Sequence, residues 1–211
     1  MSTTRVAVLM SGRGSNLGAL VEAQGPFCPY EIVVVGANNP DAGGLQRAHE
    51  AGIATFALDH RPFGKDRAAF ERELDAQLRT HDVAIVALAG FMRVLTPFFV
   101  GVWSAKLLNI HPSLLPLFPG LDTHARALAA GVKVHGCSVH WVTEGVDAGE
   151  PIGQAVVPVL PGDTPETLAA RVLEAEHVLY PACLALACGG AADAAPAAPA
   201  MFFNAWMARR P

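Results

Sequence analysis

The feature that most constrains this chain is Val83-Ala-Ile-Val-Ala-Leu88, a short and unbroken apolar run. It lacks the alternation of a half-exposed strand and is too short for a buried helix. It predicts a strand covered on both faces, the condition of a parallel sheet. Related runs recur at 6–10, 32–35, 54–57 and 106–110. Between them, 15–24, 43–51 and 67–79 read as helices, with Ser15 near the cap of the first. Strand and helix alternate, which predicts βαβ units.

The second half changes character. Strand patterns at 137–142 and 154–159 have no helix between them, and the link at 143–151 suits an antiparallel pair added to a sheet edge. A long helix follows at 165–187. Asp163 or Thr164 can cap it and Pro165 fits its first turn, while Pro181 should bend it or end it early. From 189 to 200 the composition falls to Ala, Pro and Gly, a linker-like tail. The apolar segment 201–206 is expected to pack against the body of the domain. The expected architecture is α/β and Rossmann-like: a mostly parallel twisted sheet, helices on both faces, and an antiparallel edge hairpin in the C-terminal half. One domain is expected over 1–188, with a tail over 189–211.

Composition narrows the functional classes. A chain of 211 residues, 52% of them hydrophobic, can build a full core and is not a disordered protein. A net charge of −4 argues against bulk nucleic-acid binding but leaves room for a local phosphate pocket. Cys28, Cys137, Cys183 and Cys188 form no C-x-x-C pair, so neither a zinc knuckle nor a redox dithiol is indicated. With no signal-peptide pattern at the N-terminus, they read as reduced thiols of a cytoplasmic protein. No apolar run is expected to reach the ~18–20 residues of a membrane span.

Polar groups collect where strands end. In Leu107-Leu-Asn-Ile-His-Pro-Ser-Leu-Leu-Pro116, Asn109 and His111 lie two residues apart and leave an extended chain on the same side. Pro112 and Pro116 then stiffen the following loop. An amide donor beside an imidazole suits stabilising an oxyanion and moving a proton. Ser11-Gly-Arg-Gly-Ser-Asn16 follows the first strand and opens the first helix, where free N–H groups attract phosphate and Arg13 adds charge. It fits the dinucleotide fingerprint badly: Leu17 stands where the third Gly belongs, and Gly36-Ala-Asn-Asn39 offers no acid for a ribose. A monophosphate site is the preferred reading, with a structural turn as the alternative. Ala89-Gly-Phe-Met-Arg-Val-Leu95 offers an apolar wall after the strongest strand, at the sheet end where ligands bind in such folds, although core packing is the preferred reading of these residues alone. Asp147, between Gly145 and Gly149, is either a turn residue or a partner for His111. His135 and His140 lack metal-ligand spacing, and no G-x-S-x-G elbow exists. No metal is expected.

Taken together, Ser11–Asn16, Leu88-Ala-Gly-Phe-Met-Arg93, Leu108-Asn-Ile-His-Pro-Ser-Leu-Leu-Pro116, Phe118-Pro-Gly120 and Asp147-Ala-Gly149 resemble the phosphoribosylglycinamide formyltransferases, folate-dependent enzymes of purine synthesis. The resemblance runs over roughly 5–187. The Phe118-Pro-Gly-Leu-x-Thr-His124 continuation and the short chain favour this branch over methionyl-tRNA formyltransferases.

The resemblance implies catalytic roles for Asn109, His111 and Asp147. It implies phosphoribosyl-substrate contacts for Gly14, Ser15, Asn16 and Glu176. It also implies folate contacts for Arg67, Met92, Arg93, Val94, Leu95 and Asn109. The co-substrate would be 10-formyltetrahydrofolate and the acceptor glycinamide ribonucleotide, with no nucleic-acid or membrane partner, in a monomer or homodimer. Two positions depart from the family pattern. Asp122 stands where His is common, adding negative charge near a phosphate-binding region, and Leu117 stands where Lys or Arg is common. A 10-formyltetrahydrofolate hydrolase and a non-catalytic folate- or nucleotide-binding module are the competing expectations.

Overall fold

The computed structural model describes residues 3–189 and the backbone of 201–204. The chain divides into two compact units, 1–109 and 110–211.

The first unit contains β1 (Thr4–Met10), α1 (Ser15–Glu22), β2 (Tyr30–Ala37), α2 (Gly43–Glu50) and β3 (Ala54–Ala57). A 3-10 turn (Arg61–Phe63), α3 (Arg67–Arg79), β4 (Ile85–Leu88) and α4 (Pro97–Val102) follow, and β5 (Leu107–His111) runs through the boundary. These strands lie in the order β3-β2-β1-β4-β5, all parallel. The apolar runs explain this. Val6 to Met10 and Val86 to Ala87 are wholly buried, as central parallel strands require. After β1 the chain winds outward through β2 and β3, then returns to place β4 on the other side of β1. The carboxyl ends of β1 and β4 therefore flank a topological switch point, where open α/β sheets bind ligands. The helix α4 was not legible in the sequence, because six largely apolar residues carry no readable helical period.

The second unit contains α5 (Thr123–Ala129), β6 (Val134–Trp141), β7 (Pro151–Pro158), α6 (Pro165–Gly189) and β8 (Met201–Asn204). The expected hairpin is present: β6 and β7 pair antiparallel from Val134↔Pro158 to His140↔Pro151, with a bulge between Val139 and His140. On its other side β7 pairs with β8, which runs parallel to it. The linker-like tail at 190–200, and 205–211 beyond the strand, lie outside the described residues.

Pro181 does not end α6 early, the second of the two effects expected of it; the helix continues to Gly189. A proline inside a helix costs about 3 kcal/mol through a lost hydrogen bond and a ring clash. Burial of Leu168, Val172, Leu179, Tyr180, Cys183 and Leu184 along the same helix offsets that cost. Contrary to the expectation that no apolar run reaches a membrane span, α6 is long and apolar enough to cross a membrane by length and composition alone. The buried residues just named, together with the buried Glu176, are what a core helix shows.

Candidate active site

In the first unit, the Ser11–Asn16 loop connects β1 to α1 as expected. Its hinge is Gly14, which caps α1 with φ 71°. A Cβ there would lie 2.9 Å from the Gly44 Cα and 3.2 Å from the Met10 sulfur, so only glycine fits both the torsion and the space. No side chain caps α1; Ser15 is its first residue and not its cap. A helix N-terminus can donate its N–H groups to an anion, and Arg13 is exposed nearby in sequence.

The loop after β4 is tied to this one. Gly90 turns with φ 73°, and its carbonyl accepts the Ser11 N–H at 3.1 Å. The Ser11 hydroxyl in turn accepts the Met92 N–H at 2.8 Å. Ser11 thereby joins the two loops flanking the switch point, a role that no spacing in the sequence reveals. Met92 and Val94 turn apolar side chains to solvent, 69% and 59% exposed. The Arg93 guanidinium lies 5.1 Å over the Phe70 ring, and Arg67 Nη1 donates to the Val94 carbonyl at 3.3 Å. Asn109 pairs in register with Leu88, so its amide stands at the same end of the sheet as these loops.

His111 closes β5 and is buried. Its Nδ1 faces Asp147 Oδ2 at 3.3 Å, and its Nε2 faces the Phe118 carbonyl at 3.1 Å. Both partners are acceptors, so each ring nitrogen has a place for a proton. Asp147 sits at φ 51° in the turn between β6 and β7. Its Oδ2 also accepts the Gly120 N–H at 2.8 Å, and His140 Nε2 stands 3.7 Å from Oδ1. His140 is itself oriented through Nδ1, 2.9 Å from the Trp141 carbonyl. Burial alone would raise the Asp147 carboxyl. The hydrogen bond from His140, the Gly120 N–H and the His111 charge outweigh it, and the carboxyl is held below its usual range.

The loop leaving His111 is pinned from beneath. Ser138 Oγ donates to the Ser113 carbonyl at 2.7 Å and accepts the Leu115 N–H at 3.0 Å. Gln154 Nε2 donates to the Leu115 carbonyl and to Ser138 Oγ, each at 2.9 Å. These contacts fix where the Phe118 carbonyl meets His111. Nothing in the sequence singles out Ser138 or Gln154, and His140 and Gly120, both visible there, carry no sign of their contacts with Asp147, because all four act through pairings that no local pattern records. Asp122 lies outside the His111–Asp147 contact; it precedes α5 at φ 56° without capping it, and Leu117 is exposed. Glu176 is buried on α6, where its charge joins burial in pushing the Cys137 thiol up.

A second imidazole pair lies in this unit. His135 is buried with Nε2 lacking any hydrogen-bond partner, and its ring meets His124 edge-on at 5.3 Å. Burial, then the His124 charge, push His135 down from 6.5 to about 4. The sign follows from linkage. Below pH 6.5 the unfolded chain binds a proton that the folded chain refuses, so stability falls as pH drops toward 4. This group contributes a loss of about 3 kcal/mol across that window. Urea titrations at pH 7 and 4.5 check it: His135→Gln should remove most of the slope, and an unchanged slope would assign acid sensitivity elsewhere.

Residues 4–184 match the formyl transferase family. The phosphoribosylglycinamide formyltransferase of Escherichia coli (strain K12) is 47% identical over 177 residues, covering 83% of this chain and 83% of that protein. The trifunctional purine biosynthetic protein adenosine-3 of Bos taurus is 50% identical over 188 residues, 89% of this chain. The chain spans only 18% of that longer relative. Among solved structures, a phosphoribosylglycinamide formyltransferase from Brucella melitensis superposes with a TM-score of 0.85 at 50% identity, covering 92% of this chain and all of that one.

Proposed function

Because the chain belongs to the formyl transferase family, we propose that it transfers the formyl group of 10-formyltetrahydrofolate to the amine of glycinamide ribonucleotide. One observation carries the reading: His111 is held between a carboxylate and a carbonyl at the end of β5, two residues after Asn109 on the same strand. That is a proton carrier beside an amide donor, the pair an acyl transfer between nitrogens requires.

The amine attacks the formyl carbon, and the oxygen gains charge as the carbon becomes tetrahedral. The Asn109 amide donates to that oxygen, and so does the His111 ring, whose Nε2–H turns to it from the Phe118 carbonyl. The tetrahedral intermediate then collapses: the carbonyl re-forms and the bond to the folate nitrogen breaks. One proton leaves the amine and one reaches the folate nitrogen. His111 carries it between them, directly or through water, so the proton count closes. Asp147 orients His111 and opposes its charge. The N–H groups after Gly14, with Ser15 and Asn16, would bind the ribonucleotide phosphate, and Glu176 would serve the same substrate. Arg67, Met92, Arg93, Val94, Leu95 and Asn109 would serve the folate. The reaction involves neither nucleic acid nor membrane, and we place it in the cytoplasm.

The test is tetrahydrofolate release from 10-formyltetrahydrofolate, followed spectrally with and without glycinamide ribonucleotide. Release that depends on the ribonucleotide is the expected result. Release without it would make the protein a hydrolase, and binding of both ligands without release would make it a binding module.

A further inference from the structure

We propose that Glu71 is a positioning residue for folate, acting through the 91–96 loop; the inference rests on the folate assignment above. The loop has no regular structure, and it exposes Met92 and Val94. Such a segment holds one shape only if it is tied down. Beyond the Ser11 contact at Met92, its ties come from one face of α3. Arg67, Phe70 and Glu71 fall at i, i+3 and i+4, which are neighbours on a helix surface. Arg67 donates to the Val94 carbonyl, Phe70 lies under the Arg93 guanidinium, and Glu71 holds Thr96.

The third tie differs from the first two. Arg67 is exposed, and contacts of that kind contribute little. Glu71 is 2% exposed, a carboxylate almost fully withdrawn from water. It accepts the Thr96 N–H at 2.8 Å on Oε1 and the Thr96 hydroxyl on Oε2. Thr96 occupies the N-cap of α4, where a threonine hydroxyl would ordinarily accept an N–H of the helix it begins. Here it makes no such cap and turns to the carboxylate instead. A buried acid whose contacts both end on one loop residue fixes that residue. The Met92–Leu95 wall is thereby stretched between two anchors, Ser11 at Met92 and Glu71 at Thr96. Without Glu71, folate would have to order the loop on binding. The cost would fall on folate affinity, leaving the ribonucleotide and the chemical step untouched.

The experiment compares Glu71→Ala, Glu71→Gln and Thr96→Val with wild type. It uses two-substrate initial rates, calorimetric binding of 10-formyltetrahydrofolate alone, and thermal melts. Glu71→Ala should raise the folate Kd and KM about tenfold, the equivalent of one buried donor left unpaired, with kcat and the ribonucleotide KM within about twofold. Glu71→Gln keeps an oxygen for the Thr96 N–H and should recover most of that loss. Thr96→Val removes the hydroxyl alone and should raise the folate KM about threefold. If Glu71→Ala does not fold, Thr96→Val decides. Folded variants with a wild-type folate KM, or with both KM values and kcat worsened alike, would overturn the proposal. Arg93→Ala separates the two levels. If it too leaves folate binding unchanged, the folate assignment has failed. If it weakens folate binding while the Glu71 variants do not, only the role of Glu71 has failed.

Discussion

His111→Asn should fold normally and lose about a thousandfold in kcat, with both KM values within a few-fold of wild type. The loss combines the two functions proposed for this ring. Removing an oxyanion donor costs about 10²–10³ in rate, and removing a positioned proton carrier costs about 10²–10⁴. The two overlap because they act in the same transition state, so they do not multiply. The asparagine amide nitrogen takes the place of the ring Nδ1 and can still donate to Asp147, which also keeps the Gly120 N–H and His140. The substitution therefore leaves no isolated buried charge, and the melt should shift little. Asn109→Ala should lose about 10²–10³ by removing the other donor. The double variant should be hardly worse than His111→Asn alone. Turnover within tenfold of wild type in His111→Asn would mean that the proton moves through solvent and that His111 is a structural residue.

Much of this was legible because β-strands and their ends follow local rules. The apolar runs located all five strands of the 1–109 unit, and the parallel order follows from helices set between them. Ala54–Ala57 and Arg67–Arg79 appear with the bounds the sequence suggested. Asn109 and His111 were visible as a pair because two residues in a strand share a face by geometry. What escaped was whatever depends on distant pairing. Asp147 meets His111 only because β6 and β7 pair and return the turn to it. No spacing encodes that contact; only the family resemblance pointed to it. Nothing in the sequence distinguishes Glu71 from the other charges of 67–79, and its burial emerges only once Thr96 is placed against it. Pro181 misled for a related reason: a local penalty was weighed without the packing that offsets it.

The same dependence on distant pairing makes Gly149 a point of failure. Gly149→Ala should cost about 2–3 kcal/mol, seen as a fall in Tm of roughly 4–12 °C, and should lower kcat as well. An added Cβ would lie 1.6 Å from the Trp141 carbonyl oxygen and 2.8 Å from its carbon. Both are backbone atoms, so no rotamer change relieves the clash. Something must shift, and what can shift is the end of the hairpin: Trp141 N–H donates to the Glu150 carbonyl at 3.1 Å just beyond this contact. The Trp141 carbonyl is also where His140 Nδ1 is anchored. Pushing it away releases His140, and moving the turn carries Asp147 from the Gly120 N–H and from His111. One methyl group would thus loosen the hairpin and the His111–Asp147 pair together. Gly25→Ala is the control: a Cβ there meets nothing within 4 Å and should leave both Tm and kcat unchanged. A Gly149→Ala protein with wild-type Tm and kcat would show that strand and turn do not approach this closely. A protein with lowered Tm but wild-type kcat would show that the position of Asp147 does not govern the proton transfer assigned to His111.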